Sequence, residues 1–330
     1  MIKKERKLPI IILQYEALLR RIPANHPKRP HILEELAKSK AGFNGEKSLD
    51  YQLSSIDQKK YHIFHDLRLS SEDRNFQIDS LIASKNLFIV LEVKNLSGTL
   101  YFDEKFSQLI RTKNGEETGF ADPYLQVGRQ EALLKNFILQ HKITCAPIKG
   151  FIVISNPSTI IKPTSKMIRN GTKIIHSAAL PLELKNLETN HQTPILSDKE
   201  LKKLSSILMK KNILLIREIL TKFKIKESDL IKGVYCTKCM QLPISRVHYS
   251  WVCPKCSGTS RKAYVHSLID YALLISSDIS NKQMREFLQI SSDTSALNLL
   301  RILNIDHSGE TKGRRYHLTS LIERYRDGLL

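Results

Sequence analysis

At 330 residues the chain is longer than one ordinary core, so two or three domains are expected. Hydrophobic content of 41% and charged content of 26% are those of a soluble globular chain, but 52 Lys and Arg against 33 Asp and Glu leave a net charge of +19. A field of that sign suits a polyanionic partner, nucleic acid first, although a Lys excess that serves solubility gives the same count. No apolar run approaches a bilayer span. The best N-terminal candidate, 8–13, is broken by Gln14 and Glu16 and lacks a small-residue cleavage site. A cytoplasmic protein with no membrane partner is expected, and in that setting its five cysteines do not suggest disulfides.

In chain order, helices are expected over 11–21 and 31–38, separated by a Pro-bearing loop at 23–30. Ala41-Gly42-Phe43-Asn44-Gly45 reads as a flexible joint, with a new helix from Glu46 to about 54. Strands follow at 61–67, 77–83, 87–94 and 98–102. Asp122-Pro123 opens a long helix to about 140, Asp as N-cap and Pro in the first turn. A buried strand at 148–155 and another at 172–176 complete a mixed α/β domain ending near 187. Residues 196–228 are Lys-rich, with Leu204, Leu208, Leu215 and Ile219 on one face, and suggest a connector helix with a solvated basic side.

The strand at 87–94 carries the chemistry. Leu87, Ile89, Leu91 and Val93 share one face, while Phe88 and Val90 share the other with Glu92 and Lys94. An element that begins buried on both faces thus becomes charged on one face at its C-terminal end. Burying a carboxylate and an ammonium there is costly unless they pair or bind something. With Asp79 thirteen residues upstream, in Gln77-Ile78-Asp79-Ser80-Leu81-Ile82, the pattern is able to hold a divalent metal and aim a Lys at the same point. A surface ion pair at a strand end is the bland alternative.

These motifs resemble the nuclease-related domain (NERD) family. Its Gly-x-x-Gly-Glu appears as Gly42-Phe43-Asn44-Gly45-Glu46, its Gln-Ile-Asp as Gln77-Ile78-Asp79, and its Glu-Val-Lys-Asn then Gly as Glu92-Val93-Lys94-Asn95 with Gly98. Its Asn-Pro-x-x-Gln appears as Asp122-Pro123-Tyr124-Leu125-Gln126, where Asp replaces the usual Asn. The resemblance covers about residues 36–156. It implies a restriction-endonuclease-like mixed-sheet α/β core of the Asp…Glu-x-Lys type. It also implies Mg²⁺ or Mn²⁺ held by Asp79, Glu92 and the Val93 carbonyl, with Lys94 orienting or deprotonating water or stabilising negative charge. Glu46 would be a further ligand or orient a metal-bound water, and Gln126 would fix Lys94 or a phosphate.

Cys236-x-x-Cys239 and Cys253-x-x-Cys256 are two knuckles thirteen residues apart, a pattern that points to a structural Zn²⁺ ribbon with a hairpin from 241–246 and 248–252. The lone Cys145 reads as a small buried residue. In the tail, a helix at 264–276, a capping box at Ser280…Gln283, a second helix, a helix around 294–303 and a basic Gly-bearing hairpin at 305–318 follow the order of a winged helix. Asn298 and Arg301 would face a DNA groove, and Lys312, Arg314 and Arg315 the phosphates.

The expected domains are an N-terminal helical extension (1–35), the nuclease-like domain (36–190), a basic helical linker (191–230), a zinc ribbon (231–262) and a winged-helix-like domain (263–330). The expected function is metal-dependent phosphodiester hydrolysis in nucleic acid, DNA favoured. The alternative is a non-catalytic DNA-binding or regulatory protein on the same scaffold.

Overall fold

The structure is a computed structural model. It describes residues 1–72, 74–162, 168, 169 and 171–330, and the side chain of Lys312, with its expected phosphate contact, lies outside the described residues. The chain forms two compact units, one from Met1–Arg6 with Ala41–Leu214, the other from Lys7–Lys40 with Leu215–Leu330. The expected extension at 1–35 is therefore divided between them, and so is the expected linker.

Strand β1 (Ile2–Lys4) is followed by helices α1 (Ile10–Arg21) and α2 (Arg29–Ser54). The joint expected at 41–45 is absent, because α2 runs through both glycines without a break. Glycine in a helix interior costs about 1 kcal/mol against alanine, and packing outweighs it here. A Cβ on Gly45 would lie 2.4 Å from Asn95 Cβ and 2.8 Å from Ser155 Oγ, whereas one on Gly42 would meet nothing within 4 Å. Gly45 thus lets the helix touch the end of the central strand.

The first unit continues with β2 (His62–Ser71), β3 (Arg74–Ala83), β4 (Phe88–Lys94) and β5 (Thr99–Asp103). A hairpin follows, β6 (Gln108–Lys113) and β7 (Glu116–Ala121), which the strand expectations above do not contain, although its Asn114-Gly115 turn is a hairpin signal. Helix α3 (Pro123–Gln140) leads to β8 (Ile148–Ile154), β9 (Ile160–Ile161), β10 (Ile168–Arg169) and β11 (Thr172–His176), then α4 (Leu180–Asn190) and α5 (Asp198–Lys210). The main sheet has the order β1-β2-β3-β4-β8-β11-β10, mixed in direction, and β7-β6-β5-β9 form a second sheet.

β4 lies at the centre and is buried on both faces. Phe88 and Val90 join Val127, Leu134 and Phe137 of α3 in one core, while Leu87, Ile89, Leu91 and Val93 join Leu49 and Leu53 of α2 in the other. Each such side chain contributes about 1.5–3 kcal/mol of burial. The two-sided apolar pattern read from the sequence is that of a strand covered by helices on both sides.

The connector expected over 196–228 is corrected as well. A capping box at Ser197 and Glu200 starts α5, which ends at Lys210, and Leu201, Leu204 and Leu208 are buried in the core of the first unit. The basic side is solvated, but the apolar side packs rather than connects.

In the second unit, α6 (Ile219–Phe223) precedes the cysteine module with β12 (Ser245–Val247), β13 (Ser250–Val252) and β14 (Thr259–Ser260). Then come α7 (Ala263–Leu274), β15 (Asp278–Ile279), α8 (Asn281–Leu288), α9 (Asp293–Ile302), β16 (His307–Ser308), β17 (Arg315–His317) and α10 (Thr319–Arg326). The capping box at Ser280 and Gln283 opens α8. Arg21 on α1 is fully buried and donates to Asp270 of α7 at 2.9 Å and to the Ile231 and Gly233 carbonyls, while Arg20 takes the other Asp270 oxygen at 2.8 Å. Among the described residues no helix is long and apolar enough to cross a membrane.

Candidate functional site and metal centre

Pairing of β4 with β3 runs from Phe88 to Leu91 and ends there, while pairing with β8 continues to Lys94. Beyond Leu91 the β3-facing edge of β4 is free of backbone partners from β3. Asp79 uses that gap: its Oδ2 accepts from the Val93 amide at 2.9 Å. Glu92 is buried, and its two oxygens are divided between Lys94 Nζ at 2.7 Å and Gln130 Nε2 at 2.8 Å. Lys94 Nζ also donates to Gln126 Oε1 at 3.0 Å. Glu46, on α2, accepts from Arg6 at 2.8 Å. Five sequence-predicted residues are thus gathered around the end of β4: Glu46, Asp79, Glu92, Lys94 and Gln126. Gly150 on β8 explains the height of α3 over the sheet, since a Cβ there would lie 2.3 Å from Val127.

Electrostatics sets these acids against one another. Burial pushes Glu46 up to about 7, with Arg6 opposing and Asp66 and Glu92 adding to the rise. Asp79 is held well above the usual carboxylate range by burial, then by the charges of Glu92 and Glu46. A group of hard oxygen ligands kept in place at that cost suits a divalent cation. Asp79, Glu92 and Glu46 offer oxygen donors of the kind that Mg²⁺ or Mn²⁺ takes. In the structure itself Lys94 and Arg6 take the place of a cation beside Glu92 and Glu46. The three carboxylates are not drawn as close as the thiolates described below.

Two contributors, Gln130 and Arg6, escaped the sequence reading, and a third, Asn95, stood in its motif without a role. Gln130 bridges Glu92 and the Gln77 carbonyl, at 2.8 and 2.9 Å. Its signal was present, because Gln126 and Gln130 share one face of a helix at i, i+4. Asn95 donates to the Ala41 carbonyl at 2.7 Å and ties α2 to the strand end. Arg6 lies far upstream and gave no signal. The departure Asp122 is also explained: it caps Tyr124 N at 2.8 Å and pairs with Arg169 at 3.1 Å, whose guanidinium lies 3.7 Å from the Tyr124 ring centre. The extra negative charge has its own cation.

Residues 41–155 match the family model of the nuclease-related domain. The match spans the site from Glu46 through Gln126 and leaves the second unit entirely outside. An uncharacterized protein of Bacillus anthracis is 22% identical over 145 residues, 44% of this chain and 66% of that protein, just under two thirds of its length. No solved structure matches the chain. The nuclease-related segment thus rests on its family model and on the geometry above.

The second site is the cysteine module. The Sγ atoms of Cys236, Cys239, Cys253 and Cys256 all lie within 4.8 Å of one another, and among the described residues this is the group of metal ligands drawn that close. Cys236 and Cys256 are 3.6 Å apart and Cys239 and Cys253 3.5 Å, too far for disulfides. Tetrahedral thiolates at Zn–S of about 2.3 Å stand roughly 3.8 Å apart, so the donor set fits zinc. The two knuckles repeat one another: Met240 N bonds Cys236 O and Ser257 N bonds Cys253 O, both at 2.9 Å, and Met240 and Ser257 are both left-handed. Amides of Cys239 and Lys238 bring the Cys236 thiol down to about 7. Cys145 is half-buried, and burial raises its thiol.

Of the nucleic-acid candidates, Asn298 and Arg301 are exposed on α9. β16 and β17 form the expected hairpin, pairing His307 with Tyr316. Arg315 is exposed and donates to Gln283 of α8 at 2.6 Å, while Arg314 is half-buried.

Proposed function

We propose that the first unit is a metal-dependent nuclease that hydrolyses phosphodiester bonds, DNA being the favoured substrate, with a restriction-endonuclease-like core. The observation that supports this best is the meeting of Asp79, Glu92 and Glu46 with Lys94 at the one place where the central strand leaves its partner. A Mg²⁺ or Mn²⁺ ion held by those carboxylates would supply charge neutralisation on the phosphoryl group and an activated water. Asp79 is oriented by the Val93 amide. Lys94, held by Glu92 and Gln126, presents an ammonium that donates to a phosphoryl oxygen or to the attacking water. Gln130 keeps Glu92 from rotating.

The second unit would hold substrate. The four-cysteine group would carry a structural Zn²⁺ in a ribbon, and α8, α9 and the β16–β17 hairpin would act as a winged-helix-like reader. Asn298 and Arg301 would face a groove, with Arg314 and Arg315 on phosphates. A second reading, a DNA-binding protein without catalysis, draws on Lys94 and Arg6 already satisfying Glu92 and Glu46.

The test compares wild type and Lys94→Ala on linear, circular and single-stranded substrates with Mg²⁺, Mn²⁺ or EDTA. Metal-dependent cleavage by wild type alone, with DNA binding retained in both, is expected. Loss of a group acting on the transferred proton or charge costs about 10²–10⁴-fold. Equal cleavage by both proteins refutes the mechanism, and a folded, DNA-binding wild type that cleaves nothing favours the second reading.

A further inference from the structure

The acid at position 46 is held by a residue that lies outside the nuclease-related match. β1 pairs in parallel with β2 at the edge of the main sheet, and two residues later the side chain of Arg6 is only 3% exposed. Its guanidinium reaches four side chains on three elements. Nη1 donates to Glu46 Oε2 at 2.8 Å and Nε to Asp50 Oδ1 at 3.1 Å, both on α2. Nη2 lies 2.9 Å from His65 Nδ1 on β2 and 3.1 Å from Ser80 Oγ on β3, the residue after Asp79. Withdrawing a charge from water costs several kcal/mol unless its hydrogen bonds are met, and a planar fork meets them in one geometry only. Arg6 therefore fixes the angle of α2 against the β2–β3 pair. Glu46 in turn lies close enough to Asp79 and Glu92 for their charges to interact.

We propose that Arg6 is a positioning residue for the phosphodiester site, holding Glu46 against the Asp79–Glu92 pair so that the site is complete only with the N-terminal strand docked. This rests on the nuclease reading of the first unit. Charge and geometry then pull in opposite directions, which gives the role its signature. Removing Arg6 makes the site more negative, so a dication binds at least as well. It also releases Glu46 from a fixed place, so turnover falls. A general loosening of the fold would weaken both.

The experiment uses the full chain as wild type, Arg6→Ala and Arg6→Lys, with cleavage rate followed against Mn²⁺ concentration and folding checked by melting. For Arg6→Ala, turnover at saturating Mn²⁺ is expected to fall by about 10–100-fold, the usual loss when a residue supporting a metal ligand is removed. Half-saturating Mn²⁺ should stay the same or drop. Arg6→Lys keeps the charge without the fork and should recover part of the lost turnover. A folded Arg6→Ala that cleaves within twofold of wild type overturns the proposal, as does a parallel loss of turnover and metal affinity. If Arg6→Ala does not fold, Arg6→Lys decides: turnover and metal dependence both equal to wild type reduce Arg6 to a structural role. A wild type that cleaves nothing refutes the nuclease reading instead, and calorimetric Mn²⁺ titration then reads Arg6 by itself. Binding that is retained or tightened in Arg6→Ala supports its place beside Glu46, and weakened binding, or none in wild type, overturns it.

Discussion

Glu46→Gln asks whether the acids of the first unit are held against their charge, and it needs no substrate. In the metal-free protein burial lifts the Glu46 carboxyl from 4.5 to about 7, with Arg6 opposing and Asp66 and Glu92 adding. A group that holds its proton more tightly when folded favours folding at pH below its unfolded value, and this contribution is lost as pH rises through the folded value. The window is thus from 4.5 to about 7. A rise of that size corresponds to roughly 3 kcal/mol. Gln has the shape of the protonated acid and does not titrate. In EDTA, wild type and Glu46→Gln should melt together near the lower end of the window. By pH ~8 the variant should be more stable by roughly 3 kcal/mol, about 6–12 °C for a unit of this size. His65 and His62, which burial lowers to about 3 and about 4, titrate with the opposite sign over part of the window. The readout is therefore the difference between the two proteins in calorimetric melts, not either profile by itself. Saturating Mn²⁺ should narrow or reverse the gap, because a dication favours the ionised wild type. A variant less stable than wild type at high pH in EDTA would mean that the Arg6 bond outweighs burial, and would refute the reasoning.

Asp270→Ala leaves Arg21, which is fully buried, without its carboxylate, and should destabilise the second unit by about 3–5 kcal/mol; a shift below about 1 kcal/mol in denaturant melts would show that the pair is not needed. Elemental analysis should give one zinc per chain, and Cys253→Ser should release it and lower the melting temperature of the second unit; a folded, metal-free wild type would contradict the assignment of the four thiolates to zinc. Neutralising Arg314 and Arg315 together, the two residues proposed to lie on phosphates, should reduce the slope of log K against log salt for DNA by about two, as read by fluorescence anisotropy, and an unchanged slope would move the DNA surface elsewhere.

What the sequence revealed, and what it hid, follows from the range of the forces involved. Alternation along 87–94 was enough to see a strand buried on two sides, and the Asp122 cap and the Ser280–Gln283 box announced their helices locally. Gly42 and Gly45 misled, because a helix break and a close approach of helix to strand call for the same residue, and only the position of Asn95 and Ser155 tells them apart. The period of Leu204 and Leu208 was read correctly as helical, but its partner, the core around Leu134 and Ile138, is more than sixty residues away in sequence. The site was legible as far as its motifs extended. Gln130 was recoverable from its spacing to Gln126. Arg6 was not, since forty residues separate it from Glu46 and most of them, 7–40, belong to the second unit.

The second unit is built from two stretches of chain, Lys7–Lys40 and Leu215–Leu330, with the first unit running between them. Helix α1 is fastened to α7 by Arg21 and Asp270, so the two stretches form one cooperative body. A protease that cut the irregular segment at 211–218 would yield two polypeptides that still migrate together under native conditions and part only in denaturant. Truncation at the same place would do something different: it would strip α1 of its cover and leave Ile12, Leu18 and the Arg21 guanidinium facing water. The chain passes from one unit to the other three times, after Arg6, Lys40 and Leu214, so a recombination that exchanges either unit whole must act at all three places.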